Sequence, residues 1–253
     1  MITFEHVTKV LGGRKVLDNV SLEIEKGEVF TIIGSSGSGK SVTLKHIVRL
    51  LTPTEGKVFV DGVEISSAEG KTLEKVRERF GYLFQGGALL GWMNMYDNVA
   101  LPLLEKGFCS ENKVHSRVMD VLKMVGLEND CYKFPNEISG GMQKRAGLAR
   151  AIVHQPEIIL YDEPTSGLDP VTARSIDALI RRLNTELGVT SVVVTHDLQG
   201  ALLVSDRIAM LSNGTFVEPS DPDDFIRTTN PEARAFLDAQ FISQDGLKKR
   251  VKV

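Results

Sequence analysis

Val29-Phe30-Thr31-Ile32-Ile33-Gly34-Ser35-Ser36-Gly37-Ser38-Gly39-Lys40-Ser41 is the stretch that decides how this chain is read. A β-rich run meets a glycine-rich octet of the form GxxxxGK[ST], and Ser41 to Leu51 then reads as a helix. That strand–loop–helix order is the context a phosphate-binding loop requires. Glycine spacing lets backbone N–H groups from Gly34, Ser35, Ser36, Gly37, Ser38 and Gly39 converge on phosphate oxygens. The N-terminus of the next helix adds its dipole. Lys40 is expected to reach the β- and γ-phosphates of a nucleotide. The Ser41 hydroxyl, with Val42 behind it, is expected to coordinate Mg²⁺. A plain glycine turn capping a helix would leave the adjoining Lys-Ser unexplained.

Further along, Ile158-Ile159-Leu160-Tyr161-Asp162-Glu163-Pro164 delivers two adjacent carboxylates at the end of an apolar run. Unpaired buried charge is costly, so this pair needs a cation or a catalytic task. Asp162 is expected to hold Mg²⁺ through water, and Glu163 to polarise the attacking water. Two surface acids after a strand would be the bland alternative, and the phosphate loop in the same chain weighs against it.

Between these motifs the pattern changes. Ile158 to Tyr161 and Ser191 to Val194 are continuous apolar runs, as in strands buried on both faces of a parallel sheet. Val58-Phe59-Val60 followed by Asp61-Gly62 reads as a strand entering a tight turn. From Gln85 to Pro156 helical spacing takes over, as in Val118, Val121, Leu122 and Val125, and in Ala146, Ala149, Ile152 and Val153. This middle stretch is expected to be a helical subdomain inserted into an α/β core.

Composition sets the outer bounds. The 253 residues, 42% hydrophobic and 25% charged, suit one large globular domain. A net charge of -3 gives no support to nucleic-acid binding. The longest unbroken apolar runs are four residues, such as Ala201 to Val204, whereas a membrane-spanning helix needs about 20. Met1 to Glu5 has neither the basic nor the apolar part of a signal peptide. Cys109 and Cys131 fit no metal-ligand spacing and read as reduced thiols. A cytoplasmic chain is expected, with any membrane spanning left to other chains. The basic end, Lys248 to Lys252, reads as a solvated tail.

A third set of residues separates this chain from other phosphate-loop enzymes. Ile138-Ser139-Gly140-Gly141-Met142-Gln143-Lys144-Arg145 opens an amphipathic helix, with Ser139 where an N-cap belongs. It resembles the signature of ATP-binding cassette (ABC) proteins, usually written LSGGQ. Gln85 in Tyr82-Leu83-Phe84-Gln85, Asp169 in Ser166-Gly167-Leu168-Asp169-Pro170, and His196 after Val192 to Thr195 follow in the family's order. The resemblance runs from about Phe4 to Phe216. It implies a P-loop NTPase (RecA-like) α/β core with a mixed, mostly parallel sheet and an inserted α-helical subdomain. The core comprises residues 1–85 and 157–219, the helical subdomain 86–156, and a C-terminal helical tail 220–253. The resemblance further implies ATP and Mg²⁺ at a homodimeric site. Gln85 would be a metal ligand leading into the helical subdomain, and His196 a contact to the γ-phosphate. Ser139, Gly140, Gly141, Met142 and Asp169 would act on the nucleotide held by a second copy.

Two positions depart from the family pattern. Leu11 stands where an aromatic residue usually stacks on adenine, and leucine lacks the π-face. Met142 replaces the usual signature glutamine. Two local spellings, Phe84 to Leu90 and Gly140 to Ala146, together with the tail Asn230 to Leu237, resemble the ATPases of Mce-type lipid transporters. That implies a transmembrane permease, a periplasmic lipid-binding Mce protein, glycerophospholipid cargo and a place on the cytoplasmic face of the inner membrane. A methionine or polar amino-acid importer ATPase is the nearest alternative, although the stretch after Pro219 is short for the regulatory domain such proteins often carry. Non-transport ABC proteins need coiled coils or a second cassette. A small-molecule kinase would leave Ser139, Asp169 and His196 unexplained.

Overall fold

The computed structural model describes residues 1–107 and 110–240; Cys109 and the basic end at 248–252 lie outside them. In chain order the elements are β1 (Ile2–Leu11), β2 (Arg14–Ile24), β3 (Val29–Ile33), α1 (Lys40–Ile47), β4 (Glu55–Val60), β5 (Val63–Glu64), α2 (Gly70–Arg77) and β6 (Phe80–Leu83). Three helices follow: α3 (Met95–Lys106), α4 (Glu111–Met124) and α5 (Gly140–Ile152). Then come β7 (Ile158–Asp162), α6 (Pro170–Leu187), β8 (Thr190–Thr195), α7 (Leu198–Val204), β9 (Arg207–Ser212), β10 (Thr215–Ser220), α8 (Pro222–Ile226) and α9 (Pro231–Ala239).

The main sheet has the order β10-β9-β3-β8-β7-β6. Five of its strands run parallel, and β10 pairs antiparallel with β9 at one edge. The apolar runs of β7 and β8 are central and buried throughout, because helices and a second sheet cover both faces. Along β7, Ile158 and Leu160 point to one layer while Ile159 and Tyr161 point to the other. The first layer is made by α1 and a four-stranded antiparallel sheet, β2-β1-β4-β5, through Phe4, Leu17, Val58, Leu44 and Ile47. The second is made by α6 and by α3, α4 and α5, through Ile176, Ile180, Val99, Leu122 and Leu148. A smaller cluster fastens α8 and α9 to α7, β9 and the end of β3 through Leu198, Ile208, Phe225 and Leu237.

The expected strand and turn at 58–62 is the β4–β5 hairpin. Val118, Val121, Leu122, Ala146, Ala149 and Ile152 are buried on one stripe of α4 or α5, as their spacing requires. The helix after the phosphate loop is shorter than its sequence suggests and ends at Ile47, not Leu51. Arg49 adopts φ +56°, and the Leu50 and Leu51 N–H groups fold back onto the Lys45 carbonyl, which closes the helix. Among the described residues no helix is long and apolar enough to cross a membrane.

Candidate active site

Three neighbouring parallel strands, β3, β8 and β7, end on the same side of the sheet, and their C-terminal ends carry the polar residues. This is where parallel α/β sheets place their ligands. The loop after β3 is closely packed: a Cβ on Gly34 would lie 2.6 Å from the Leu211 carbonyl oxygen, and one on Gly39 2.8 Å from a Val16 methyl. Gly39 also takes φ +108° as the N-cap of α1. Within this cradle the Ser38 hydroxyl is buried with no hydrogen-bond partner, a polar atom waiting for an acceptor or donor.

Lys40 is buried, and its Nζ donates to the carbonyls of Gly34 and Ser35, each at 3.0 Å. It also lies 3.4 Å from Glu163 Oε1. Ser41 Oγ donates to Asp162 Oδ1 at 2.6 Å, and the Tyr82 hydroxyl donates to Asp162 Oδ2 at 3.2 Å. Burial, with the Asp162 charge beside it, pushes the Tyr82 phenol well above its usual range, so it stays a donor.

Glu163 leaves β7 at φ +50°, a left-handed backbone that costs a non-glycine residue about 1–3 kcal/mol and needs its surroundings to hold it. Its N–H donates to the Val194 carbonyl at 2.9 Å. Its Oε2 pairs with His196 Nδ1 at 2.7 Å, which places the imidazole proton on Nδ1. The His196 ring is largely exposed, while its carbonyl accepts from Gln240 Nε2 at 2.9 Å, just past α9. The carbonyl of Glu163 accepts from Lys144 Nζ at 3.0 Å, and the same Nζ donates to the Gln85 carbonyl. Burial lowers the Lys144 pKa, opposed by the Glu163 and Asp162 charges. Two carboxylates are thus set among two buried lysines.

The structure therefore brings together Lys40, Ser41, Asp162, Glu163 and His196. Gln85 joins them through its backbone, and its side chain is exposed. Val42, on α1 itself, packs partly buried against the core. The remaining residues stand apart. Ser139 is the N-cap of α5 and its Oγ accepts from the Met142 N–H at 3.3 Å. Ser139 and Gly140 are exposed, Gly141 is buried, and the Met142 side chain packs into the helical layer. Asp169 caps α6, accepting from the Val171 and Thr172 N–H groups at 3.0 and 3.1 Å, and the Thr172 side chain together with these bonds holds its carboxyl below the usual range. Among the described residues, no hydrogen bond or ion pair links Ser139, Gly140, Gly141 or Asp169 to the side chains of Lys40, Ser41, Asp162 or Glu163. Leu11 closes β1, 41% exposed and opposite Arg14.

Two residues at this site lie within the quoted stretches but carry no role in the sequence reading. Tyr82 lies within an otherwise apolar strand, and Lys144 sits on the buried stripe of α5 with Gly141, Leu148 and Ala151. A lysine on an apolar stripe is a legible signal, because burying it needs partners.

Comparison with known proteins points one way. The family model described as ABC transporter matches residues 17–166. A probable ribonucleotide transport ATP-binding protein, mkl, of Mycobacterium leprae is 42% identical over 248 residues, covering 98% of this chain and 72% of that protein. The methionine import ATP-binding protein MetN of Carboxydothermus hydrogenoformans is 44% identical over 229 residues, 89% of this chain and 68% of its own length. Among solved structures, the ATP-binding cassette MJ0796, dimeric and bound to ADP and Pi in a post-hydrolysis state, superposes with a TM-score of 0.80. It is 38% identical, covering 88% of this chain and 99% of that one. With its phosphate loop and its paired carboxylates in place, this chain belongs to the ABC transporter family and is an ATP-binding, ATP-hydrolysing subunit of such a transporter.

Proposed function

We propose that the chain works as one half of a two-fold dimer that drives a phospholipid permease of the Mce type. Each ATP would lie between the phosphate loop of one copy and the α5 N-terminus of the other. The observation that carries the dimer is the separation of the two parts of the site. Lys40, Ser41, Asp162, Glu163 and His196 form one bonded cluster, while the exposed Ser139–Gly140 turn joins none of it. That turn starts a 13-residue helix whose N-terminal dipole favours an anion. A γ-phosphate held by a second copy supplies one, and antiparallel two-fold closure makes two such sites.

Within a site, Ser41 and Asp162 would hold Mg²⁺, the hydroxyl directly and the carboxylate through water, with the exposed Gln85 amide completing the set. Their hydrogen bond of 2.6 Å already brings hydroxyl and carboxylate to one point, and a phosphate-bound Mg²⁺ takes only one or two protein ligands. The ion would neutralise charge on the phosphates. Lys40 would exchange the Gly34 and Ser35 carbonyls for phosphate oxygens, loosening its contact with Glu163. Glu163 would then accept a proton from the attacking water, with His196 holding Oε2 in place and touching the γ-phosphate. Asp169 would act across the dimer. Gln85 would report the state of the site to the helices α3–α5, the part that moves against the permease on the cytoplasmic face of the inner membrane.

The phospholipid cargo is supported by the spellings at 84–90 and 140–146 and by the tail at 230–237. The identity to MetN favours methionine as a second reading. Mass spectrometry of the native membrane complex, followed by transport from labelled vesicles, tests both. Phospholipid should co-purify with a permease and an Mce protein, and should move only with Glu163 intact. A complex free of lipid whose hydrolysis responds to methionine would replace this cargo and keep the ATPase; a response to ribonucleotides would match the mkl name instead.

A further inference from the structure

We infer that Lys144 is a positioning residue for hydrolysis in its own chain's site, although the helix that carries it presents Ser139 to the partner's nucleotide. The inference rests on the dimer reading above. Three observations lead to it. Lys144 is 5% exposed, deeper than a lysine sits without a reason, and its ammonium is satisfied by backbone oxygens of two separate segments. One is the Gln85 carbonyl, on the loop between β6 and α3; the other is the Glu163 carbonyl, at the end of β7. Glu163 is also the residue whose left-handed backbone needs outside support.

Geometry assigns the direction of action. Ser139 and Lys144 sit at the start and in the second turn of α5, so one rigid helix carries both. Its exposed end can reach another copy, whereas Lys144 is buried and its Nζ donates to two carbonyls of its own chain. A shift of α5 when the partner's phosphate is engaged must move Nζ against the Glu163 and Gln85 carbonyls. Lys144 therefore ties the aim of the Glu163 carboxylate in one site to the signature contact made at the other. The ammonium donates to the Glu163 backbone carbonyl and not to its carboxylate, so it acts through the placement of Glu163 and does not itself take part in the chemistry.

Lys144→Met keeps the length and removes the donors; Lys144→Gln restores a neutral N–H donor. In the transporter complex, Lys144→Met should lower kcat about tenfold or more while ATP affinity stays within about threefold, and Lys144→Gln should recover much of that kcat. A packing role alone would lower the melting temperature and change affinity with kcat. Mixed dimers give the sharper test. Lys144→Met paired with Ser139→Arg puts both lesions at one site and leaves the other clean, so part of the activity should return. Lys144→Met paired with Lys40→Ala puts one lesion at each site and should recover nothing. Ser139→Arg paired with Lys40→Ala is the control for the dimer itself and should recover activity. Wild-type kcat in Lys144→Met, or recovery with Lys40→Ala but not with Ser139→Arg, would overturn the assignment. If the control alone fails, the dimer reading falls, and the kcat and affinity of Lys144→Met decide the role of Lys144.

Discussion

Leu11 is the residue on which the proposed contact to the base rests. It ends β1 beside the Gly12-Gly13 turn with 41% of its surface exposed. At the proposed adenine-stacking position a leucine would pack on the purine without a π-face, and the phosphates would carry most of the affinity. Leu11→Tyr should tighten ATP binding by about 0.5–1.5 kcal/mol, the scale of an aromatic pair, in a calorimetric titration. Unchanged affinity would place another residue against the base. The polar residues of the site were legible because phosphate chemistry demands their types at fixed spacing: Lys40-Ser41 after the glycines, Asp162-Glu163 after the strand. Lys144 and Tyr82 escaped because their partners, the Gln85 and Glu163 carbonyls and the Asp162 carboxylate, come together only in three dimensions.

At the scale of elements, legibility followed burial. β7 and β8 are covered on both faces, so their apolar runs announce them. β1 and β2 pair antiparallel, but register shifts between Phe4 and Val7 and between Val7 and Lys9, with positive φ at His6 and Asn19, break the alternation that would reveal them. The packing of α6 on α7 has its own test. Asp177 of α6 is buried, one of its oxygens has no hydrogen bond, and Arg174 lies 3.3 Å away while also pairing with Asp197. Burial pushes the Asp177 carboxyl up to about 6, against the pull of Arg174. The folded chain therefore binds this proton more tightly than the unfolded chain, and stability falls as pH rises from about 4 through 6. Asp177→Asn should stabilise the fold at pH 8 by on the order of 1 kcal/mol and bring no gain at pH 4, read from thermal melts. A loss at pH 8 would mean that the ion pair with Arg174 outweighs the buried charge.

For the whole molecule, the central claim is that ATP joins two copies of this chain. One copy holds Lys40, Asp162 and Glu163 together, while Ser139 caps α5 and, among the described residues, makes no hydrogen bond or ion pair to their side chains. Glu163→Gln keeps the shape of the carboxylate and removes its ability to take a proton. Hydrolysis should then drop by about 10²–10⁴-fold while ATP still binds. The measurement that tests the claim most directly is the mass of this variant by light scattering, with and without Mg²⁺ and ATP. From 27.8 kDa per chain, the mass should double with ATP and return to that of one chain when Ser139→Arg is added to the same variant. A Glu163→Gln chain that stays at the single-chain mass with ATP bound, or that doubles regardless of Ser139, would contradict the account.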